Sequence, residues 1–280
     1  LANVKGAEDM YDRTLNTPKA EIESRIAGLQ RILARSGVEG ALILQRVDLF
    51  YFTGTIQQGS LYVPAFGEPL LMVNKVLARA RAESPIERIV PLGSPKSIPN
   101  QLKQSGLGLP RRIGLELDVL PTNLYCSYRD IFNGAETVDI STDIRLLRAV
   151  KSAHEIELIR EAAAYSDRVA ACVPEFLREG MTEIDLAGRL EAEARRMGHQ
   201  GIVRMRMWGS ELFYGHLLAG PSGAVPSYLA SPTGGAGVSP AVAQSAGFRP
   251  IKRHEPVLVD YVFAYRGYIS DHARIFAIGK

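Results

Sequence analysis

The spacing of apolar residues changes character several times along the chain, and each change predicts a new element. From residue 19 to 36, Ile22, Ile26, Leu29 and Leu33 recur at helical spacing, and Gly37 follows as a C-terminal stop. GALIL (40–44) and DLFYFTG (48–54) are compact apolar runs that read as buried strands, as do LYVP, PLLMV, IERIV and RRIGLEL farther on. Helical stretches near 76–83, 97–104 and 121–132 alternate with them, the last with Pro121 at its start. That alternation predicts an α/β domain over residues 19–148.

A second domain opens in RLLRAVKSAHEIELIREAAAYSDRVAACVPEFL. Ser152 and Glu155 form a capping box, and Ile156, Ile159, Ala163, Ala170 and Val173 mark the expected apolar face of the helix that follows. After Gly180, Thr182 caps another helix with Ile184, Ala187, Leu190, Ala194 and Met197 on one side, and Gly198 ends it. IVRMRMW, ELFYGHLLAG and a final hairpin come next, so this domain is expected to run αα then ββββ. Between the strands lies a long Gly, Ser, Pro and Ala segment, residues 220–247. A loop of that length inside a compact domain is functional or disordered. Its glycines do not follow a phosphate-loop pattern, and no internal repeat is visible.

Composition narrows the partners. The 280 residues carry 33 basic and 30 acidic side chains, a formal charge of +3, interspersed without a basic block. Nucleic acid is therefore not an expected partner. Cys126 and Cys172 are too few and too far apart for a disulfide framework, which fits a reducing cytoplasm. The N-terminus lacks the apolar core of a signal peptide, and no run of about 18 apolar residues is present, so neither export nor a membrane span is expected.

The stretch VLVDYVFAYRGYISDHARIF, 257–276, reads as a hairpin with an aspartate inside each strand. A two-residue turn at Tyr265 and Arg266 sets Asp260 directly across from Asp271, with Cβ atoms roughly 4.5–5.5 Å apart. A bulge at Gly267 would shift that register by one. Alternation puts both aspartates on a face with Leu258, Val262, Ile269, Ala273 and Ile275, expected to be buried, while Val259, Tyr261, Phe263, Tyr268, Ser270, His272 and Arg274 take the other. Two ionised carboxylates in an apolar setting are costly unless something positive lies between them. Divalent cations answer that need, and a pair of them roughly 3.5–4 Å apart is a hydrolytic arrangement. A shared proton, arginines from elsewhere in the fold, and a solvated hairpin with a shifted register are the alternatives.

The same residues resemble a known family. VLVDYVFAYRGYISDHARIFAIG is similar to the signature of the pita-bread metallohydrolases, the superfamily of methionine aminopeptidase, Xaa-Pro aminopeptidase, prolidase and creatinase. The aspartate spacing, the GY and SD pairs, the arginine and the closing Phe and Gly coincide. RLLRAVKSAHEIELIREAA resembles the helix that opens the family's catalytic domain, and EGMTEIDLAGRLEAEARRMG its second helix. The resemblance implies a noncatalytic creatinase-type N-terminal domain over 1–148 and the first half of an α+β pita-bread catalytic domain over 149–280. It further implies that Asp260 and Asp271 are ligands to two divalent metal ions (Mn, Co, Zn or Fe), that short peptides are substrates, and that the protein is a cytoplasmic homodimer.

Three features depart from the family. Its other ligands, one His and two Glu, would follow Lys280. Ser227, in VPSYLASP, stands about where the peptidases place a substrate-contacting His, and His216 on the preceding strand is the candidate replacement. Ala273 occupies the position of a Thr. The resemblance therefore implies an Xaa-Pro aminopeptidase or dipeptidase, with a creatinase-like C–N hydrolase or a noncatalytic peptide-binding protein as alternatives. Among other residues, Trp208 is expected in a core or domain contact, and Tyr228 near the site entrance. His154, His199 and His254 are expected at ordinary surface positions, and the two cysteines as buried, inert thiols.

Overall fold

The computed structural model describes residues 13–227 and 234–279. Tyr228 lies outside the described residues. The chain divides into two compact units, one formed by residues 1–151 with 205–210 and the other by 152–204 with 211–280.

In the first unit, α1 (Lys19–Arg35), β1 (Gly40–Ile43), α2 (Arg46–Thr53), β2 (Gly59–Pro64), β3 (Leu70–Val73), α3 (Leu77–Glu83), β4 (Ile89–Pro91), α4 (Ile98–Gln104), β5 (Arg112–Leu115), α5 (Thr122–Ile131), β6 (Glu136–Asp139) and α6 (Ser141–Ala149) follow one another. The strands form one mixed sheet in the order β4-β3-β2-β1-β5-β6. Both of its faces are packed. Ile22, Ile26, Leu29 and Leu33 of α1 join Ala41, Ile43, Leu61, Val63, Leu71 and Val73 on one side, while Leu42, Tyr62, Leu70 and Met72 meet Ile98, Leu102 and Phe132 on the other. Double burial explains why β1 and β3 are continuous apolar runs without alternation.

DLFYFTG was expected as a strand and is the helix α2. Gln45 caps it, its side chain accepting from the N–H groups of Val47 and Asp48, and Gly54 at φ 73° closes it in the left-handed region. A short apolar run is ambiguous by period alone, and here the caps at both ends outweigh the β preference of Phe50, Tyr51 and Phe52. The predicted strands IERIV and RRIGLEL shorten to β4 and β5, and α6 appears where the sequence suggested only a connection.

The same cap places a carboxylate in the core. Asp48 is fully buried and accepts from Arg148 Nη1 and from Arg206 Nε (2.7 Å), while Arg206 Nη1 donates to Asp118 at 2.6 Å. Glu116, also fully buried, accepts from Leu44 N–H (2.7 Å) and Gln45 N–H (2.9 Å). Burial first, then the charge and hydrogen bond of Asp48, raise the Glu116 carboxyl well above its ordinary value, against the pull of those two N–H donors. Trp208, in the 205–210 segment, is 40% exposed and not a core residue.

The second unit starts with α7 (Ala153–Ala171), whose capping box of Ser152 and Glu155 forms as expected. Its buried stripe is Glu155, Leu158, Ala162, Ser166 and Val169, with Ile156 exposed. That stripe is rotated from the predicted one, because the sequence shows isoleucines on one side and alanine and leucine on the other without showing where the sheet lies. Next come α8 (Val173–Phe176) and α9 (Glu183–Arg196), the latter boxed by Thr182 and Asp185. β7 (Val203–Arg204) and β8 (Glu211–Leu212) make a minimal pair, far shorter than the strand predicted for IVRMRMW. β9 (Gly215–Ala219), β10 (Val257–Tyr265) and β11 (Tyr268–Phe276) form a sheet in the order β11-β10-β9. Helices α7 and α9 pack on it over Leu217, Val257, Val259, Tyr261 and Phe263. Glu183 ties the far end of β9 in place. It is buried and accepts from the N–H groups of Ala219 (2.8 Å) and Gly247 (3.0 Å).

Among the described residues no helix is long and apolar enough to cross a membrane. His199 was expected at the surface and is buried, accepting from Gly201 N–H at 2.9 Å, with its Nε2 3.2 Å from the Val262 carbonyl and its ring stacked on Tyr214. Cys126 and Cys172 are half-buried, not enclosed, because the helix faces that carry them are only partly covered.

A group whose folded pKa is raised adds stability at low pH and loses that contribution as pH climbs through the raised value. The thermal midpoint of the first unit is therefore expected to fall as pH rises above about 5. Glu116→Gln keeps an acceptor for Leu44 and Gln45 and offers an N–H to Asp48, so it should flatten that dependence in scanning calorimetry. Parallel curves for the variant and the wild type would refute the raised Glu116 carboxyl as their cause.

Candidate functional site

The register of the β10–β11 hairpin decides what its aspartates do. The turn residues are Arg266 (φ 49°) and Gly267 (φ 85°), both left-handed, as a two-residue type I′ turn requires. Tyr265 pairs with Tyr268, Val262 with Asp271, and Asp260 with Ala273. The turn thus sits one residue later than expected from the sequence, and the pairing shifts by two. An even shift preserves faces, so Asp260 and Asp271 stay on one side, but as diagonal neighbours instead of direct partners. Diagonal Cβ atoms lie up to roughly 7–8 Å apart.

That face is the open one, contrary to the expectation of burial. Asp271, Ala273 and Ile275 are exposed and Asp260 is half-buried, whereas Val257, Val259, Tyr261 and Phe263 on the opposite side are buried. Both faces carry apolar residues, and alternation alone does not reveal that α7 and α9 cover the other one.

Across the second ladder, Asp260 is paired directly with His216 of β9. His216, Asp260 and Asp271 therefore share one face across three adjacent strands. Gly215 makes the approach possible, since at φ 139° a Cβ there would lie 2.0 Å from the Asp260 carbonyl oxygen. His216 is 7% exposed, its Nδ1 has no hydrogen-bond partner among the described residues, and Phe213 packs edge-on to its ring at 5.3 Å. Ser245 secures its neighbours, donating from Oγ to the Gly215 carbonyl (2.8 Å) and accepting from Leu217 N–H (3.4 Å).

Burial, followed by the charge of Asp271, raises the Asp260 carboxyl above its ordinary value. His216 opposes this, and a side-chain hydrogen bond with Asp271 adds to it. The two carboxyl groups thus crowd one another, with an imidazole as the nearby basic group. Among the described residues no three His, Cys, Asp or Glu side chains are grouped so as to hold a metal. What this chain offers a cation is a pair of hard oxygen donors on adjacent strands, one of them, Asp260, disfavoured as an anion by burial and by the charge of the other, which is the donor chemistry a divalent ion relieves.

His272 lies on the covered side, paired with Tyr261, as alternation predicts. His254 sits at φ 61° in a turn. Ser227 lies just before the undescribed stretch. Nothing local in the sequence signals the Glu183 anchor, because its partners are backbone groups 36 and 64 residues away.

A mixed-sheet α/β unit followed by helices packed on an antiparallel sheet is the two-domain, creatinase-type architecture. The chain carries a Creatinase/Prolidase N-terminal domain, matched over residues 25–150, and belongs through residues 157–280 to Metallopeptidase family M24. It is 23% identical over 259 residues to YqhT of Bacillus subtilis, described as an uncharacterized peptidase, covering 91% of this chain and 65% of that one. It is 28% identical over 265 residues to the probable dipeptidase PepE of Mycobacterium tuberculosis, covering 91% and 64%. In fold it is similar to an Xaa-Pro dipeptidase from Bacillus anthracis, with a TM-score of 0.76 at 21% identity over 92% of this chain and 66% of that one. The chain spans about 65% of the length of the curated relatives it matches.

Two outcomes test the geometry. Asp271→Asn removes a charge and a carboxyl partner, so carboxyl-carbon NMR titration should find the Asp260 pKa lower than in wild type; an unchanged value would show that the two do not interact. Gly267→Ala forces a Cβ into a left-handed turn position and should cost ~1–2 kcal/mol in denaturant unfolding.

Proposed function

We propose that the intact protein is a metal-dependent hydrolase of short peptides, an Xaa-Pro aminopeptidase or dipeptidase, with Asp260 and Asp271 as metal ligands and His216 in contact with substrate. The observation that carries this reading is the shared, solvent-open face of two mutually repelling carboxylates in an M24 domain. Two divalent ions, Mn, Co, Zn or Fe, supply Lewis acidity toward a peptide carbonyl and lower the pKa of water. Asp260 and Asp271 fix two oxygen donors on a rigid ladder. His216, held by Phe213 and the Ser245 contacts, directs an imidazole toward whatever lies over Asp260. The relatives described as an Xaa-Pro dipeptidase and a probable dipeptidase support the substrate class. The creatinase-type domain over 1–148 is noncatalytic in this reading, and the protein is a cytoplasmic homodimer.

One observation favours a second reading, peptide binding without turnover: Ala273, paired with Asp260, leaves no hydroxyl beside that carboxylate. The two readings part experimentally. The full-length protein, loaded with Mn or Co, should release proline from Xaa-Pro dipeptides, and Asp260→Asn and Asp271→Asn should each abolish both stoichiometric metal and turnover. Peptide binding with no turnover at any metal content would establish the second reading, and absence of bound metal would overturn the first.

A further inference from the structure

We propose that Ser166 and Asp167, successive residues of α7, act as a positioning clamp on the strand segment that carries Asp271. Among the described residues β11 is hydrogen-bonded to β10 and to no other strand, so within them the ladder restrains Asp271 from one side and Asp260 from two. The helix contributes the missing restraint. Ser166 Oγ donates to the Ser270 carbonyl at 3.4 Å, and Arg274 Nη2 donates to Asp167 Oδ1 at 3.2 Å. His272 Nδ1 stands 3.4 Å from the same Asp167 oxygen, an ion-pair separation outside hydrogen-bond geometry, and His272 Nε2 lies 3.0 Å from Ser270 Oγ. Two consecutive helix residues thus hold positions 270 and 274 and stand against 272, the alternate residues on one side of the strand, and Asp271 projects from the other side between the first two.

The Ser270–His272–Asp167 sequence has the order of a nucleophilic triad, but access rules that role out. Ser270 is 7% exposed, and the adjoining cavity, lined by Ser166, Tyr214, Tyr261, His272 and Arg274, has a volume of about 20 Å³. That is room for one water and not for an acyl substrate. Asp167 and Arg274, by contrast, are 62% and 48% exposed, so their pair adds little to global stability, and removing it tests position separately from folding.

The inference rests on Asp271 being a metal ligand as proposed above, and the test separates the two. In the full-length protein, Asp167→Ala should weaken Mn2+ binding about tenfold by calorimetry, the low end for partners that orient a ligand from outside. Asp167→Asn should weaken it less, since it keeps an acceptor for Arg274. The thermal midpoint should be unchanged in both. Glu157→Ala, which removes a carboxylate paired with Arg160 elsewhere on α7, is the control for a general charge effect and should bind as wild type. In the metal-free protein, hydrogen exchange at residues 270–274 should accelerate in Asp167→Ala and Ser166→Ala. If wild type binds no Mn2+, the metal reading falls and the exchange data alone judge the clamp. Wild-type affinity together with unchanged exchange in Asp167→Ala would overturn it, as would equal weakening by Glu157→Ala.

Discussion

Two carboxylates that share too little water repel each other, and the second unit is built around tolerating that repulsion at one place. The diagonal register makes Asp260 and Asp271 neighbours across two strands without pairing them directly, while the ladder keeps both on one face. Everything that fixes the register therefore fixes the site. The I′ turn at Arg266 and Gly267 sets it at one end, and the close approach allowed by Gly215 aligns His216 beside Asp260 at the other.

The first unit contains the same problem with a different solution. Asp48 and Glu116 are completely enclosed, yet Asp48 is met by two arginines, and Glu116 receives two backbone N–H groups while burial raises its carboxyl above the ordinary value. Every charge there has a partner supplied by the fold, which is what a structural carboxylate pair needs in a low-dielectric core. The aspartates of the sheet receive no such partners and face outward. The contrast between an enclosed pair met by arginines and backbone N–H groups and an open one beside a single imidazole separates architecture from chemistry within one chain.

Membership in the M24 family gives the open pair a chemical context, and the departures give it an individual one. Ala273 beside Asp260 removes a hydroxyl. His216, nine-tenths buried with an unpartnered nitrogen, adds a basic group from a strand on the other side of Asp260.

Much of this was readable in advance. The capping box of α7, the Thr182 cap of α9, the helices α1, α3, α4 and α5, and the common face of Asp260 and Asp271 all follow from local chemistry: side chains three or four apart on a helix, or two apart on a strand, meet whatever the rest of the molecule does. The resemblance of the hairpin to a known signature belongs to the same category. Other outcomes depended on neighbours distant in sequence. DLFYFTG became a helix because Gln45 and Gly54 capped it and its Asp48 found arginines 100 and 158 residues away. The aspartate face lay open because α7 and α9 took the other side of a sheet whose two faces are both partly apolar. The register slipped by two because the chain reversed where two successive residues adopt positive φ, and the first of them is an arginine that composition does not mark as a turn residue. Periodicity reports the direction in which a side chain leaves the backbone; only the packed structure decides what stands there to meet it.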